Sequence, residues 1–166
     1  DSLAALAAGA EVPEAGYQGA YLVDWATEMP SGADPVEWGR ERALADQRAV
    51  LESLGIGFDA WFSERSMIES GAVEDTLADL QSAGATYEDD GAVWLRSSDY
   101  GDDKDRVLVK SDGEYTYLLP DVSYHRDKFA RAPRLVNVWG ADHHGYVARV
   151  HAAMAALGHQ PADLEV

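Results

Sequence analysis

The sequence predicts an α/β fold, with a parallel strand-and-helix unit over residues 115–158 preceded by a mixed α+β region. Three observations predict it. The apolar period changes from about 3.6 residues to 2 after Gly84, the switch from helices to strands. Two short runs, YTYLL and RLVNVW, each lead through a proline or a glycine into a helical pattern, the arrangement that lays strands parallel. The chain has 166 residues, 46% of them apolar, about one domain's worth with enough material for a sizeable core.

Taken in order, DSLAALAAGAEVPE lacks the basic flank of a signal peptide and reads as the tail of a helix. GYQGAYLVDWATEM brings Tyr21, Leu22, Trp25 and Met29 to one side of a helix, and Pro30, Ser31 and Gly32 break it. Asp34 before Pro35 is a helix start, a side-chain cap followed by a proline at the first helical position, and Gly55 supplies the stop after Leu54. FDAWFSE, 58–64, reads as a short strand. ESGAVEDTLADLQSAG spaces Val73, Leu77 and Leu80 as a helix that ends at Gly84. AVWLRS is a strand entered through Asp90-Gly91, and RVLVKSDGEYTYLL is a hairpin turning at Asp112-Gly113. YTYLL then runs through Pro120 and Asp121 into a helix. RLVNVW runs through Gly140 into VARVHAAMAALG, where Val147, Val150, Met154 and Leu157 share a face before Gly158.

A formal net charge of −17 repels polyphosphate and argues against a nucleic-acid clamp built from this segment alone. The acid is densest at 88–90 and in GDDKD, 101–105. The latter lacks the spaced oxygen ligands and closing glutamate of a calcium loop and reads as solvated surface. Without cysteine there is neither a disulfide framework nor a thiolate metal site, which suits an intracellular protein; the cytoplasm is the compartment that the resemblance given below implies. No apolar run approaches the roughly 20 residues that cross a bilayer, so no membrane partner is expected.

In parallel sheets a ligand sits beyond the carboxyl ends of the strands, and two such ends are visible. Asp121, at the first, is either a helix cap or a carboxylate aimed into a cleft. In the cleft it would suit a guanidinium, which donates two parallel hydrogen bonds. Tyr117, four residues earlier, either packs in the core or turns its hydroxyl to the rim. At the second end, GADHHGY offers Gly140, Asp142, His143 and His144. They could cap a helix, ligate metal as in an Asp-His-His phosphoesterase, or line a nucleotide through a glycine turn and a helix start. His125 and His151 fall within helical patterns and read as partly exposed helix residues. GIGFDAW follows a helix rather than a strand and is no dinucleotide fingerprint.

Four strings in sequence, GYQGAYLVDWA, GIGFDAWFSERSMIESGAVEDTL, GDDKDRVLVKSDGEYTYLLPDVSYHRDKF and LVNVWGADHHGYVARVHAAMAALG, resemble bacterial arginyl-tRNA synthetase from about Glu11 to Gly158. The resemblance implies part of a Rossmann-type class I catalytic domain. Residues 1–112 would be its connecting insertion, and 113–166 the start of the second half of the nucleotide-binding fold. It implies activation of L-arginine with ATP, with Mg2+ accompanying the nucleotide and no tightly bound metal, and transfer to tRNA-Arg. Tyr117, Asp121 and His143 then correspond to arginine-binding positions, with Asp121 facing the guanidinium. Gly140, Asp142, His143 and His144 correspond to the adenylate rim.

The sequence departs from the family in one respect. The His-x-Gly-His-type and Lys-Met-Ser-Lys-Ser-type motifs, which stabilise the transferring phosphates, are not found in these residues. The expectation is a central piece of the enzyme, inactive in adenylation on its own, contacting tRNA mainly through other parts, and open to self-association through uncovered edges. The alternatives are a stand-alone arginine- or partner-binding module derived from a synthetase, and after it a metal-dependent phosphoesterase.

Overall fold

A computed structural model describes residues 2–166, which form two compact units, one ending at Trp61 and one beginning at Phe62. The first is helical: α1 (Ser2–Ala7), α2 (Tyr21–Glu28) and α3 (Pro35–Ser53). Asp34 caps α3 as its sequence requires, accepting from the amides of Val36 at 2.8 Å and Glu37 at 2.9 Å. Leu3 of α1 and Leu22 of α2 are the buried hydrophobics of this unit. Gly39 lets α3 come close, since a Cβ there would stand 3.0 Å from the Leu3 side chain. Arg48 lies over the Trp61 ring, 4.8 Å from its centroid.

The second unit holds α4 (Glu64–Glu69), α5 (Ala72–Ser82), β1 (Thr86–Asp89), β2 (Ala92–Leu95), β3 (Arg106–Val109), α6 (Leu118–Arg131), β4 (Leu135–Val136), α7 (Val147–Ala156) and β5 (Leu164–Glu165). Strands β1, β2 and β3 form an antiparallel sheet in that order, while β4 and β5 pair in parallel on either side of α7. The core is built from Val73 and Leu80 of α5, Leu95 and Leu108 of the sheet, Leu119 and Val122 of α6, and Val150 and Met154 of α7. Full burial of each such side chain is worth roughly 1.5–3 kcal/mol.

The fold class stands, with helices and strands sharing one core and a parallel pair, but three local readings change. FDAWFSE is not a strand: no edge pairs with it, and Ser63 instead caps α4 by accepting from the amide of Ser66. YTYLL is not a strand running into a helix. Only Tyr115 bridges to Val109, antiparallel, and the chain enters helical geometry at Tyr117. Leu118 and Leu119 are both buried, which strand alternation forbids and a helix allows, and Pro120 is tolerated because the first turn needs no amide from it. The parallel βαβ unit is therefore β4–α7–β5, formed with a strand beyond Gly158. Finally, TYED forms β1, which carries no apolar alternation. It is joined to β2 by Asp90 (φ 48°) and Gly91 (φ 74°), a two-residue turn in which both residues are left-handed.

GDDKD is only partly solvated surface. Asp102 is buried and takes both Nε and an Nη of Arg106, at 2.7 and 2.9 Å, and the exposed Asp103 shares that guanidinium. Among the described residues no helix is long and apolar enough to cross a membrane.

Candidate functional site

Helix α6 carries the site on one face. Asp121, His125 and Lys128 recur at intervals of four and three, so their side chains line up along the helix. The buried Leu119 and Val122 anchor the first turn, and the Ser123 hydroxyl ties α6 to α5 by donating to the Ala72 carbonyl at 3.0 Å. Asp121 is partly buried and makes no salt bridge among the described residues. Tyr146 is its neighbour. The tyrosine hydroxyl is buried, and burial, then the Asp121 charge and a loose hydrogen bond to that carboxylate, push its pKa well above the usual tyrosine range. A partly buried carboxylate in no salt bridge thus lies beside a buried hydroxyl, with the Lys128 charge near enough to be felt. Both can accept from a multidentate cationic donor.

Behind Asp121 runs a polar chain. His125, 2% exposed, places Nδ1 2.7 Å from the Asp121 carbonyl and Nε2 2.7 Å from the Asn137 amide nitrogen. Lys128 donates from Nζ to Asn137 Oδ1 at 2.9 Å, and its ammonium also lies 4.2 Å from the centre of the Tyr124 ring. Burial lowers the pKa of His125, against the Asp121 carbonyl that raises it; burial likewise lowers that of Lys128. Asn137 is held at the end of β4, where its backbone N–H donates to the Glu165 carbonyl at 2.8 Å and extends the parallel pairing.

The stretch from Gly140 to Tyr146 is a 3₁₀ turn, Ala141–Tyr146, rather than the first turn of the following helix. Asp142 is not its cap: Gly140 occupies that position and no side chain bonds the turn's amides. Gly140 is tight for a different reason, since a Cβ there would fall 2.4 Å from Asp142 Oδ1. Asp142, His143 and His144 are all exposed. His143 Nε2 stands 3.5 Å from the Asp142 carboxylate, and its ring lies 6.2 Å from that of Trp139, which in turn is 6.1 Å from His125 and 6.0 Å from Tyr146. No group of three or more metal-ligating side chains occurs among the described residues.

The structure therefore joins Asp121 to the 140–146 turn through Tyr146, Trp139 and His125, without the two neighbouring strand ends that the sequence suggested. Tyr117 lies one turn before Asp121, at the N-cap of α6 and 92% exposed, so it does not pack in the core. It borders an open groove of about 530 Å³ with Glu64, Ile68, Lys110, Glu114 and Pro120. Four residues went unread from the sequence: Lys128, Asn137, Trp139 and Tyr146. His125, read as a partly exposed helix residue, is buried and central. The spacing Asp121, His125, Lys128 was the available signal, masked by reading Asp121 as the end of a strand.

The family model for the catalytic domain of class I tRNA synthetases (R) matches residues 45–166. The chain is 46% identical over 171 residues to arginine–tRNA ligase 1 of Halalkalibacterium halodurans, covering 94% of this chain and 31% of that protein. It is 52% identical over 131 residues to arginine–tRNA ligase of Bacillus pumilus, covering 78% of this chain and 24% of that protein. A crystal structure of a putative arginyl-tRNA synthetase from Campylobacter jejuni superposes with a TM-score of 0.86 at 36% identity, over 98% of this chain and 40% of that one. The chain thus spans about a third of the length of the curated relatives it matches.

Proposed function

Because this chain belongs to the class I arginyl-tRNA synthetase family, we propose that it is the part of an arginine–tRNA ligase that selects L-arginine and borders its adenylate. The carrying observation is the Asp121 carboxylate, partly buried and in no salt bridge among the described residues, beside the buried Tyr146 hydroxyl. A guanidinium supplies five donors in one plane and cannot lose its charge, so it can meet a carboxylate with two parallel hydrogen bonds and still reach a neighbouring oxygen, a geometry that the compact ammonium does not share. Tyr117 closes over the same ligand from the start of α6, and His143 lines the pocket from the 3₁₀ turn. Gly140, Asp142, His143 and His144 border ATP and the adenylate. Residues 1–112 serve as the connecting insertion and 113–166 as the beginning of the second half of the Rossmann-type fold.

In this reading Mg2+ would accompany ATP, held through its phosphates. The phosphate-stabilising motifs and the main tRNA-Arg contacts are supplied by other parts of a cytoplasmic enzyme, so the segment alone does not adenylate arginine. Val136 and Val138, 65% and 94% exposed, give the isolated segment a reason to self-associate.

The test is Asp121→Asn in the whole enzyme. It removes one charge-assisted partner of the guanidinium and should lower arginine kcat/KM roughly 10²-fold, for about 3 kcal/mol. Unchanged arginine-dependent aminoacylation would refute the assignment.

A further inference from the structure

We propose that His125, Asn137 and Lys128 form a positioning relay that aims the Asp121 carboxylate, so that three residues distant from the guanidinium determine arginine specificity; this rests on the reading of Asp121 above. The geometry permits only one protonation pattern along the relay. Lys128 Nζ can only donate, so the Asn137 atom 2.9 Å from it must be the amide oxygen. The Asn137 NH2 group therefore faces His125 Nε2 at 2.7 Å, which must accept through its lone pair. The ring proton is thereby placed on Nδ1, where it donates to the Asp121 carbonyl at 2.7 Å.

That last bond falls on the backbone of the very residue whose side chain meets the ligand. It adds to the helical ladder a second hold on the first turn of α6, where an α-helix is otherwise most prone to fray. Break the pattern at Lys128 and the Asn137 amide is free to flip. An oxygen then faces Nε2, the ring proton moves there, and the Nδ1 lone pair is set against the Asp121 carbonyl. The charged and titratable groups around His125 are Asp121 and Lys128 on its own helix and His151 on α7, while β4 contributes the neutral Asn137. Burial and the Lys128 charge favour the neutral ring that the relay needs.

The experiment uses the whole enzyme, with steady-state aminoacylation measured against arginine and ATP separately. Lys128→Met and Asn137→Leu should each raise KM for arginine about tenfold while leaving KM for ATP within about twofold. Lys128→Arg, which keeps a donor, should restore the wild-type value. Asn137→Asp presents an acceptor to Nε2 and requires a doubly protonated His125. Its arginine kcat/KM should recover toward wild type at acidic pH and fall as pH rises, a limb absent from the parent enzyme. Thermal melting checks each fold; if Asn137→Leu does not fold, Lys128→Met, at a half-buried position, carries the same comparison. Equal effects on both substrates, or no effect on arginine, would overturn the relay provided Asp121→Asn still impairs arginine use. If Asp121→Asn is itself silent, the failure belongs to the reading of the pocket, and the two results are told apart.

Discussion

At the scale of single residues, Gly140 separates the demands of folding from those of binding. Its φ of −65° and ψ of 151° are open to any residue, so backbone strain does not explain a glycine there. What an added Cβ meets, at 2.4 Å, is Asp142 Oδ1, the far end of a side chain that is 81% exposed and able to swing into water. Gly140→Ala should therefore leave stability within about 0.5 kcal/mol, as surface changes usually do. The displaced Asp142 carboxylate would lose its place beside His143 at the proposed nucleotide rim. Denaturant unfolding that is unchanged, together with a raised KM for ATP in the whole enzyme, is the expected pair of results. A large loss of stability would show that the glycine serves the fold instead.

At the scale of elements, α3 is the plainest case of local sequence deciding structure. It has no buried residue, so little tertiary packing holds it, and its start rests on Asp34 bonding two amides with Pro35 behind it. Asp34→Ala should cost about 1 kcal/mol and fray the helix from its N-terminus, read as a loss of ellipticity and of amide protection confined to the first turns of α3. Elements announced by such local chemistry were legible: α3 from its cap, α5 from its apolar spacing and terminal glycine, α7 from Val150 and Met154, and the turn after β3 from Asp112-Gly113, though not the helix that replaces its second strand. Elements decided by distant partners were not. TYED becomes β1 only because β2 lies beside it, and Leu164 becomes a strand only by pairing with Leu135 across α7. The candidate site divides in the same way. Asp121 and Gly140 could be singled out from their types and flanking residues. The His125–Asn137–Lys128 chain depends on β4 arriving beside α6, and no short-range pattern encodes that meeting.

At the scale of the whole chain, acidity and specific pairing act on stability in opposite directions as pH falls. With a net charge of −17 and an isoelectric point near 4.4, acidification from neutrality first relieves general repulsion. Two buried groups oppose this, each in its own window. The folded pKa of His125 is lowered from 6.5, chiefly by burial, so the unfolded chain binds the proton more readily; stability from this source is lost as pH drops below about 6.5. The Arg106 bond holds Asp102 well below the ordinary carboxylate range, against the opposing effect of burial. Its contribution is fully present above the unfolded value of about 3.9 and is lost as pH falls through the folded one. Comparing the parent with Asp102→Asn cancels the general charge term. Urea unfolding should show the variant less stable by about 2 kcal/mol from pH 5 to 7, because the carboxylate is removed while Asp103 still shares the guanidinium. The gap should narrow steadily below about pH 4, as the parent's own Asp102 begins to protonate on unfolding. A gap that stays constant down to pH 2.5 would mean that Asp102 supports the β2–β3 connection by shape and hydrogen bonding rather than by charge.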